Sequence, residues 1–278
     1  NLELLTADCY VSLLVTRYRS LMKKEIMNTI LQSFAQVLLK EQYSEYSILL
    51  SQFEKGDKRN FVLQHRTMFE KGWYDIEDCH EYLIEEDILK CFLIQTHKMY
   101  IIDWSGEEYS GQVKRSITMM LKHYGIERFE WNTKKFETTL DWNRMRRGDY
   151  LPLLFSAMDK KLNKDGFSIV FWENQSDSFC YTILPTTDFV QFDSIELANG
   201  SSFINAKTYH IYLSDKGDNL PKMMLYLKKL FSIPLNEIKE FCSKEKMLLA
   251  TGNSITVKNY RKEIEKLGGK IEIEEIDR

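Results

Sequence analysis

The stretch TVKNYRKEIEKLGGKIEIE, residues 256–274, decides the fold class of the chain. Its first part carries apolar residues three to four positions apart, the spacing of one helix face: Val257, Tyr260, Ile264 and Leu267. A glycine pair at 268–269 ends this helix, and apolar and polar residues alternate from Lys270 onward. A helix followed directly by a half-buried strand predicts mixed helix and sheet structure in this part of the chain.

The preceding segment completes a small module over 207–278. Residues 207–213 alternate like a half-buried strand, and residues 247–250 form a short apolar run. Between them, Pro221 stands in the first turn of one expected helix that ends near Phe231, and Pro234 opens a second. The predicted order of elements is β-α-α-β-α-β.

This order and the residues themselves resemble the C-terminal domain of the bacterial ribosomal stalk protein. The first helix is apolar with a basic end, Leu225-Tyr226-Leu227-Lys228-Lys229. The second, Leu235-Asn236-Glu237-Ile238-Lys239-Glu240, is similar to that family's leucine–x–glutamate–alanine–lysine segment. The closing helix, glycine pair and alternating strand complete the resemblance, which implies the family's compact fold for 207–278.

The resemblance also implies a binding surface, because members of that family contact translational GTPases through their first two helices. The positions that fall on this surface are Lys222, Lys228, Lys229 and Lys239. This sequence departs from the family at 231–234, where Phe-Ser-Ile-Pro replaces a small bend containing glycine, and at Ile238, where a small residue is expected. Both changes alter the surface that a translation factor meets.

Residues 22–203 predict a larger, helix-rich α+β domain with a small mixed or antiparallel sheet. Helical spacing or capping signals predict helices over 25–40, 44–54, 61–71, 105–123, 133–145, 149–163 and 186–199. For the helix ending at His123, Ser105 and Glu108 fit a capping box. Runs rich in strand-forming residues predict strands over 91–94 and 99–102 and a hairpin over 167–172 and 179–184. This region resembles uncharacterised bacterial immunity-type proteins.

The distribution of charge and the cysteines limit the kinds of partner and of compartment that the sequence favours. The chain of 278 residues has net charge −3, with 14 basic and 11 acidic residues in 207–278 and 24 basic and 30 acidic residues before them. The two modules therefore present different surfaces, and no nucleic-acid partner is indicated. Five cysteines without a C-x-x-C pair predict free thiols and a reducing, cytoplasmic setting. No apolar run is long enough to span a membrane.

Residues 1–21 precede the first methionine, Met22, and their charge pattern is not that of a secretory signal. We expect Met22 to be the natural start and 1–21 to be an upstream extension. Mass spectrometry of the native N-terminus tests this, because recovery of peptides spanning 10–21 contradicts it.

Catalytic motifs are sparse. The sequence has no phosphate-binding glycine loop, no H-E-x-x-H and no G-x-S-x-G, and we expect no cofactor or metal. Carboxylates at Asp75, Glu77 and Asp103 are candidates for acid–base or magnesium chemistry, and Asp103 alternatively caps the next helix. The cluster Asp78-Cys79-His80-Glu81 holds potential metal ligands, although adjacent residues on a helix point apart.

A further candidate is a recognition edge on the predicted hairpin, formed by Trp172, Asp177 and Tyr181, with turn and core roles as the alternative.

Three functions follow from these observations. The first is a non-enzymatic bacterial protein-binding protein of the immunity type. The second is a translation-associated protein whose C-terminal module contacts translation factors or the ribosome. The third is a metal-dependent hydrolase that uses Asp103.

Overall fold

The fold is α+β, as the sequence predicts. The computed structural model describes residues 25–26, 28–140, 142–143, 150–173, 178–193, 195, 197, 200–231, 234, 237–238, 246–252 and 254–276. These residues form helices and two small antiparallel sheets. The expected extension 1–21 lies outside the described residues.

The chain divides into two compact units. The first comprises the described residues of Asn1–Leu140 and Val170–Phe203, and the second those of Asp141–Ile169 and Ile204–Arg278. The sequence also placed a boundary after 203, but it assigned 141–169 to the N-terminal domain. In the structure this segment groups with the C-terminal part of the chain.

Helices of the first unit carry most of its core. They are α1 (28–39), α2 (Tyr43–Lys55), α3 (Lys58–Gln64), α4 (Arg66–Lys71), α5 (Glu85–Gln95), α6 (Gln112–Lys122), α7 (Thr133–Glu137) and α9 (Thr186–Phe189). Buried residues of α1 to α5 and of α9 join side chains from the strands in one hydrophobic cluster. At the centre, the Phe34 ring stacks on Phe203, 3.9 Å between centroids, and meets Phe192 and Trp172 edge-on.

The prediction of a strand over 91–94 is wrong, because these residues lie in α5. A short continuous apolar run fits a buried strand and a buried helix equally well by periodicity. Here the local signals favour the helix: three acidic residues occupy its first turn, and Asp87 accepts a hydrogen bond from the Ile84 N–H at 3.0 Å. Tertiary burial on several sides of α5 explains why the run carries no polar face.

Two more predicted helices differ in extent. The helix expected from Ser105 begins only at Gln112, because Glu107 rather than Glu108 accepts the amides at its start. The helix expected to reach 199 is the short α9, which is followed by turns and a strand that the sequence did not predict. The helix expected over 133–145 corresponds to α7, which ends at Glu137; residues 141 and 144–149 lie outside the described residues.

The first sheet has the strand order β1-β3-β2-β4. Its strands are β1 (Tyr100–Asp103), β2 (Phe167–Glu173), β3 (Ser178–Pro185) and β4 (Ser202–Asn205). The register of β1 and β3 pairs Tyr100 with Tyr181 and Asp103 with Ser178. The predicted hairpin of β2 and β3 is confirmed, since the two strands are neighbours in the sheet.

The second unit contains α8 (Tyr150–Lys164) and a three-stranded antiparallel sheet of order β6-β5-β7. Its other elements are β5 (Tyr209–Asp215), α10 (Leu220–Phe231), β6 (Met247–Gly252), α11 (Ser254–Lys266) and β7 (Lys270–Glu275). Of the predicted second helix of this module, residues 237–238 are helical and the rest lies outside the described residues. The order of the described elements agrees with the prediction.

The glycine pair of the opening stretch has a packing role besides ending α11. A Cβ atom at Gly269 would lie 2.7 Å from the Asp215 carbonyl oxygen and 2.7 Å from Met223 Cε. Both distances are shorter than van der Waals contact allows, so only glycine fits between β5 and α10 without displacing them. Gly269 therefore lets the start of β7 lie close to these elements.

Candidate functional site

Helix α10 presents a basic, partly apolar surface, which we call the α10 lysine face: Lys222, Leu225, Lys228 and Lys229. Leu225 lies three positions from Lys222 and from Lys228 and four from Lys229, so the three lysines surround it on one side of the helix. Met223 and Leu227, on the other side, are fully buried in the core of the second unit. Leu225 is 62% exposed, although leucine is normally a core residue.

The charge on this face is unopposed along the helix. Helix α10 contains no acidic residue, and its three lysines are all exposed. Within the described part of the chain, none of these three lysines forms an ion pair with a carboxylate. The structure thus brings together three of the four predicted lysines, while Lys239 lies outside the described residues.

The carboxylate candidates have local structural roles. Asp103, at the end of β1, accepts a hydrogen bond from the Ser105 N–H at 2.7 Å, which closes a turn rather than capping a helix. Asp75 accepts from the Glu77 N–H at 3.0 Å in the same way. These hydrogen bonds explain why an aspartate stands at each of the two turns.

The Asp78-Cys79-His80-Glu81 cluster surrounds a single 3₁₀ turn, Cys79–Glu81. Cys79 is buried in the core of the first unit, and burial raises the pKa of its thiol, whereas Asp78 and Glu81 are exposed. The side chains therefore diverge, as adjacent positions on a turn do. Among the described residues, no three histidine, cysteine or acidic side chains converge in a way that could hold a metal ion.

The hairpin residues Trp172 and Tyr181 belong to the interior. Trp172 is 3% exposed and its indole N–H donates to Ser201 Oγ at 3.1 Å, and the buried Tyr181 hydroxyl is hydrogen-bonded to Ser116 Oγ. Of the two interpretations that the sequence offered for these side chains, the core role is therefore confirmed and the recognition edge is wrong, since both are enclosed by their own unit. Asp177 lies outside the described residues.

Residues 75–87 hold seven aspartate and glutamate residues, but they contribute less surface charge than this composition indicates. Glu86 is buried, and Asp87 accepts hydrogen bonds from the Tyr74 hydroxyl and the Ile84 N–H. The Nζ of Lys90 lies 3.9 Å from Asp87. Two of the seven acidic side chains are thus committed to the structure at the start of α5.

Lys98 is a buried cation whose environment perturbs it. Its Nζ donates to the Leu38 carbonyl oxygen at 2.9 Å, near the end of α1, and burial lowers its pKa. A lysine at the carbonyl end of a helix interacts favourably with the unpaired carbonyl groups there. The cavity beside it holds about 10 Å³, which is too small for a ligand, so the role of Lys98 is to hold α1 in place.

The sequence reasoning missed an open cleft in the first unit, which we call the α6 cleft. It has a volume of about 880 Å³ and lies between the exposed side of α6 and the segment 127–134. Its basic side chains are Lys114, Arg115, Lys122, Arg128 and Lys134, against two acidic ones, Glu127 and Glu130. A count of charge in a moving window would have found the local basic excess, but not its concave arrangement.

Local contacts build the two walls of this cleft. Glu107 starts α6 by accepting the Gly111 N–H at 3.1 Å and the Val113 N–H at 2.7 Å. On the opposite wall, Phe129 is buried, and Asn132 caps α7 by accepting the Lys135 N–H at 3.0 Å. Both walls are therefore fixed by buried or hydrogen-bonded residues.

None of the described helices combines the length and the apolar character needed to cross a membrane. The described cysteines, Cys79, Cys91 and Cys180, are buried and unpaired with one another, whereas Cys9 and Cys242 lie outside the described residues.

The comparisons with known proteins give one match. The family model described as a domain of unknown function, DUF6630, matches residues 32–203. No curated protein and no solved structure matches the chain. Residues 32–203 make up more than half of the 278 residues and include the α6 cleft, whereas α10 lies outside them. The chain belongs to the DUF6630 family.

Proposed function

We propose that this chain is a bacterial, cytoplasmic protein-binding protein whose α10 lysine face docks on an acidic surface of a partner protein. The observation that carries the proposal is the exposed Leu225 surrounded by three lysines on one helix face. An apolar anchor ringed by charge is the usual arrangement of a protein interface. The unpaired thiols accord with a reducing compartment.

The chemistry of the partner follows from the charge. Three lysines without an acidic neighbour on the helix favour a surface rich in aspartate and glutamate, and like charge excludes basic partners. The resemblance of 207–278 to the ribosomal stalk domain makes a translational GTPase the first partner to test. The immunity-type alternative relies on an acidic first unit that binds a basic toxin, and it is weakened because Glu86 and Asp87 are engaged internally.

Charge reversal tests the proposal directly. We expect the native full chain to retain a stoichiometric partner on affinity purification from its host. Lys228→Glu together with Lys229→Glu should weaken that association about tenfold or more, because attraction becomes repulsion at two positions of the face. The affinity of the native chain should also fall as ionic strength rises. Binding is measured by calorimetry with the purified partner.

The matched control is Arg261→Glu with Lys262→Glu, which reverses an adjacent basic pair exposed on α11 of the same unit. This variant should retain the partner. Equal loss of binding in both variants, or retention in both, contradicts a specific role for α10. Translation factors or ribosomal proteins among the retained chains would assign the translation-associated function, and another acidic protein would assign an adaptor function.

A further inference from the structure

We propose that the α6 cleft binds a small ligand that carries several phosphate groups. This goes beyond the proposed protein-binding function, since it concerns another surface in the other compact unit. The proposal rests on charge, on the pairing of the side chains and on the size of the cleft.

The cleft has a net positive charge, although the compact unit that contains it has a net negative charge. Its charged lining comprises five basic and two acidic side chains, whereas the segments 1–140 and 170–203 that make up this unit have 18 basic and 26 acidic residues. Positive charge concentrated in a concavity focuses the field and attracts anions. A net positive cleft on a net negative module is therefore a local feature and not a consequence of composition.

The two acidic side chains are already engaged by cations of the lining. Glu127 lies 3.9 Å from Lys122 Nζ, and Glu130 lies 2.8 Å from Arg128 Nε. The three remaining cations are Lys114, Arg115 and Lys134, and no carboxylate of the described residues pairs with them. Arg115 packs over the Tyr109 ring at 4.9 Å, which limits the orientations of its guanidinium.

These cations reach the cleft from both walls. On α6, Lys114, Thr118 and Lys122 follow one another every fourth residue and form a row along the exposed side. Lys134 belongs to the opposite wall. An anion between the walls would therefore meet ammonium groups on two sides, and lysine and arginine are the usual partners of phosphate.

The lysine and arginine side chains, and not a helix terminus, supply the binding groups of the cleft. The amides at the start of α6 are already accepted by Glu107. Trp131 also lines the cleft, but its indole Nε1 is buried and is therefore not exposed to an anion there.

The volume of the cleft favours a small ligand over a nucleic acid. A volume of about 880 Å³ falls within the range of roughly 300–1,000 Å³ that small-molecule sites occupy. A long polyanion would extend beyond the cleft onto a module of net negative charge, which repels it. The ligand chemistry is a chain of two or more phosphates, either free or attached to a nucleoside.

Calorimetric titration of the full chain with tripolyphosphate, and separately with ATP, tests the proposal. We expect at least one of these two ligands to bind. The double variant Lys114→Ala with Lys134→Ala should lower the binding affinity about tenfold or more, because each substitution removes a charge-assisted contact from one wall. Lys55→Ala with Lys71→Ala removes two exposed lysines of the same unit outside the cleft and should leave binding unchanged.

Tighter binding of ATP than of tripolyphosphate would assign a nucleotide, and equal binding would assign the phosphate chain alone. The proposal is overturned by the absence of binding of both up to millimolar concentration, or by equal loss in the cleft and control variants. Tighter binding of a single-stranded oligonucleotide than of either small ligand, lost in the cleft variant, would also overturn it in favour of a nucleic-acid site.

Discussion

Phe34→Ala is expected to lower the free energy of unfolding by about 3–5 kcal/mol, the usual cost of truncating a fully buried phenylalanine. Phe34 is completely buried on α1. Its ring stacks on Phe203, with 3.9 Å between centroids, and contacts Phe192 and Trp172 edge-on. Removing it leaves three aromatic rings facing a cavity, and so removes contacts that connect the first helix of the unit with its last strand.

Urea denaturation followed by tryptophan fluorescence measures this effect, since Trp172 is one of the rings that Phe34 contacts. Ile26→Ala is the matched control, because Ile26 is 54% exposed and surface substitutions usually change stability by less than about 0.5 kcal/mol. If Phe34→Ala destabilises the protein no more than the control does, α1 is not part of the core of the first unit.

Asp159→Asn is expected to remove a decline of stability with pH that the native protein shows between about pH 4 and pH 7. Asp159 is 2% exposed on α8, and burial raises the pKa of its carboxyl from 3.8 to about 6. The Ile169 N–H, at 2.7 Å, and the Asn163 side-chain amide, at 2.7 Å, oppose this shift, as does the nearby Lys207, whereas Glu275 adds to it.

The sign follows from proton linkage. Between pH 3.8 and about 6, the folded state holds the proton of Asp159 and the unfolded state has released it, so unfolding becomes easier as pH rises. Above pH 6 the full cost is present, about 3 kcal/mol for a shift of this size. Asparagine stays neutral, so the stability of the variant relative to that of the native protein should rise with pH across this range. Its amide also replaces one of the two accepting oxygens by a donor, which lowers the stability of the variant by the same amount at every pH.

Chemical denaturation at a series of pH values from 4 to 7 measures both curves. Asp165→Asn removes an exposed carboxyl from the connection between α8 and β2 and controls for the loss of one negative charge. If the Asp159→Asn and native curves run parallel across this range, then burial does not hold the proton on Asp159.

The sequence predicted the α10 lysine face but not the α6 cleft. On α10, the positions of Met223 and Leu227 define the buried side by periodicity alone, so Lys222, Lys228 and Lys229 are exposed wherever that helix packs. The α6 cleft is different, because Lys134 and Arg128 lie on a segment whose path depends on the burial of Phe129 and the cap at Asn132. The tests of the two surfaces are independent, since α10 lies outside the residues that the DUF6630 family model matches.

The sequence by itself determined the α+β class and the β5, α10, β6, α11 and β7 series, because apolar residues recur at helix or strand spacing in β5, α10, α11 and β7 and form a short continuous run in β6. Only the tertiary structure decided that 91–94 is helical, since a segment buried on several sides has no period to read. It alone also decided between the core and recognition roles of Trp172 and Tyr181 and arranged the cations of 114–134 around one concave cleft. Such placements depend on long-range packing, which local residue patterns do not encode.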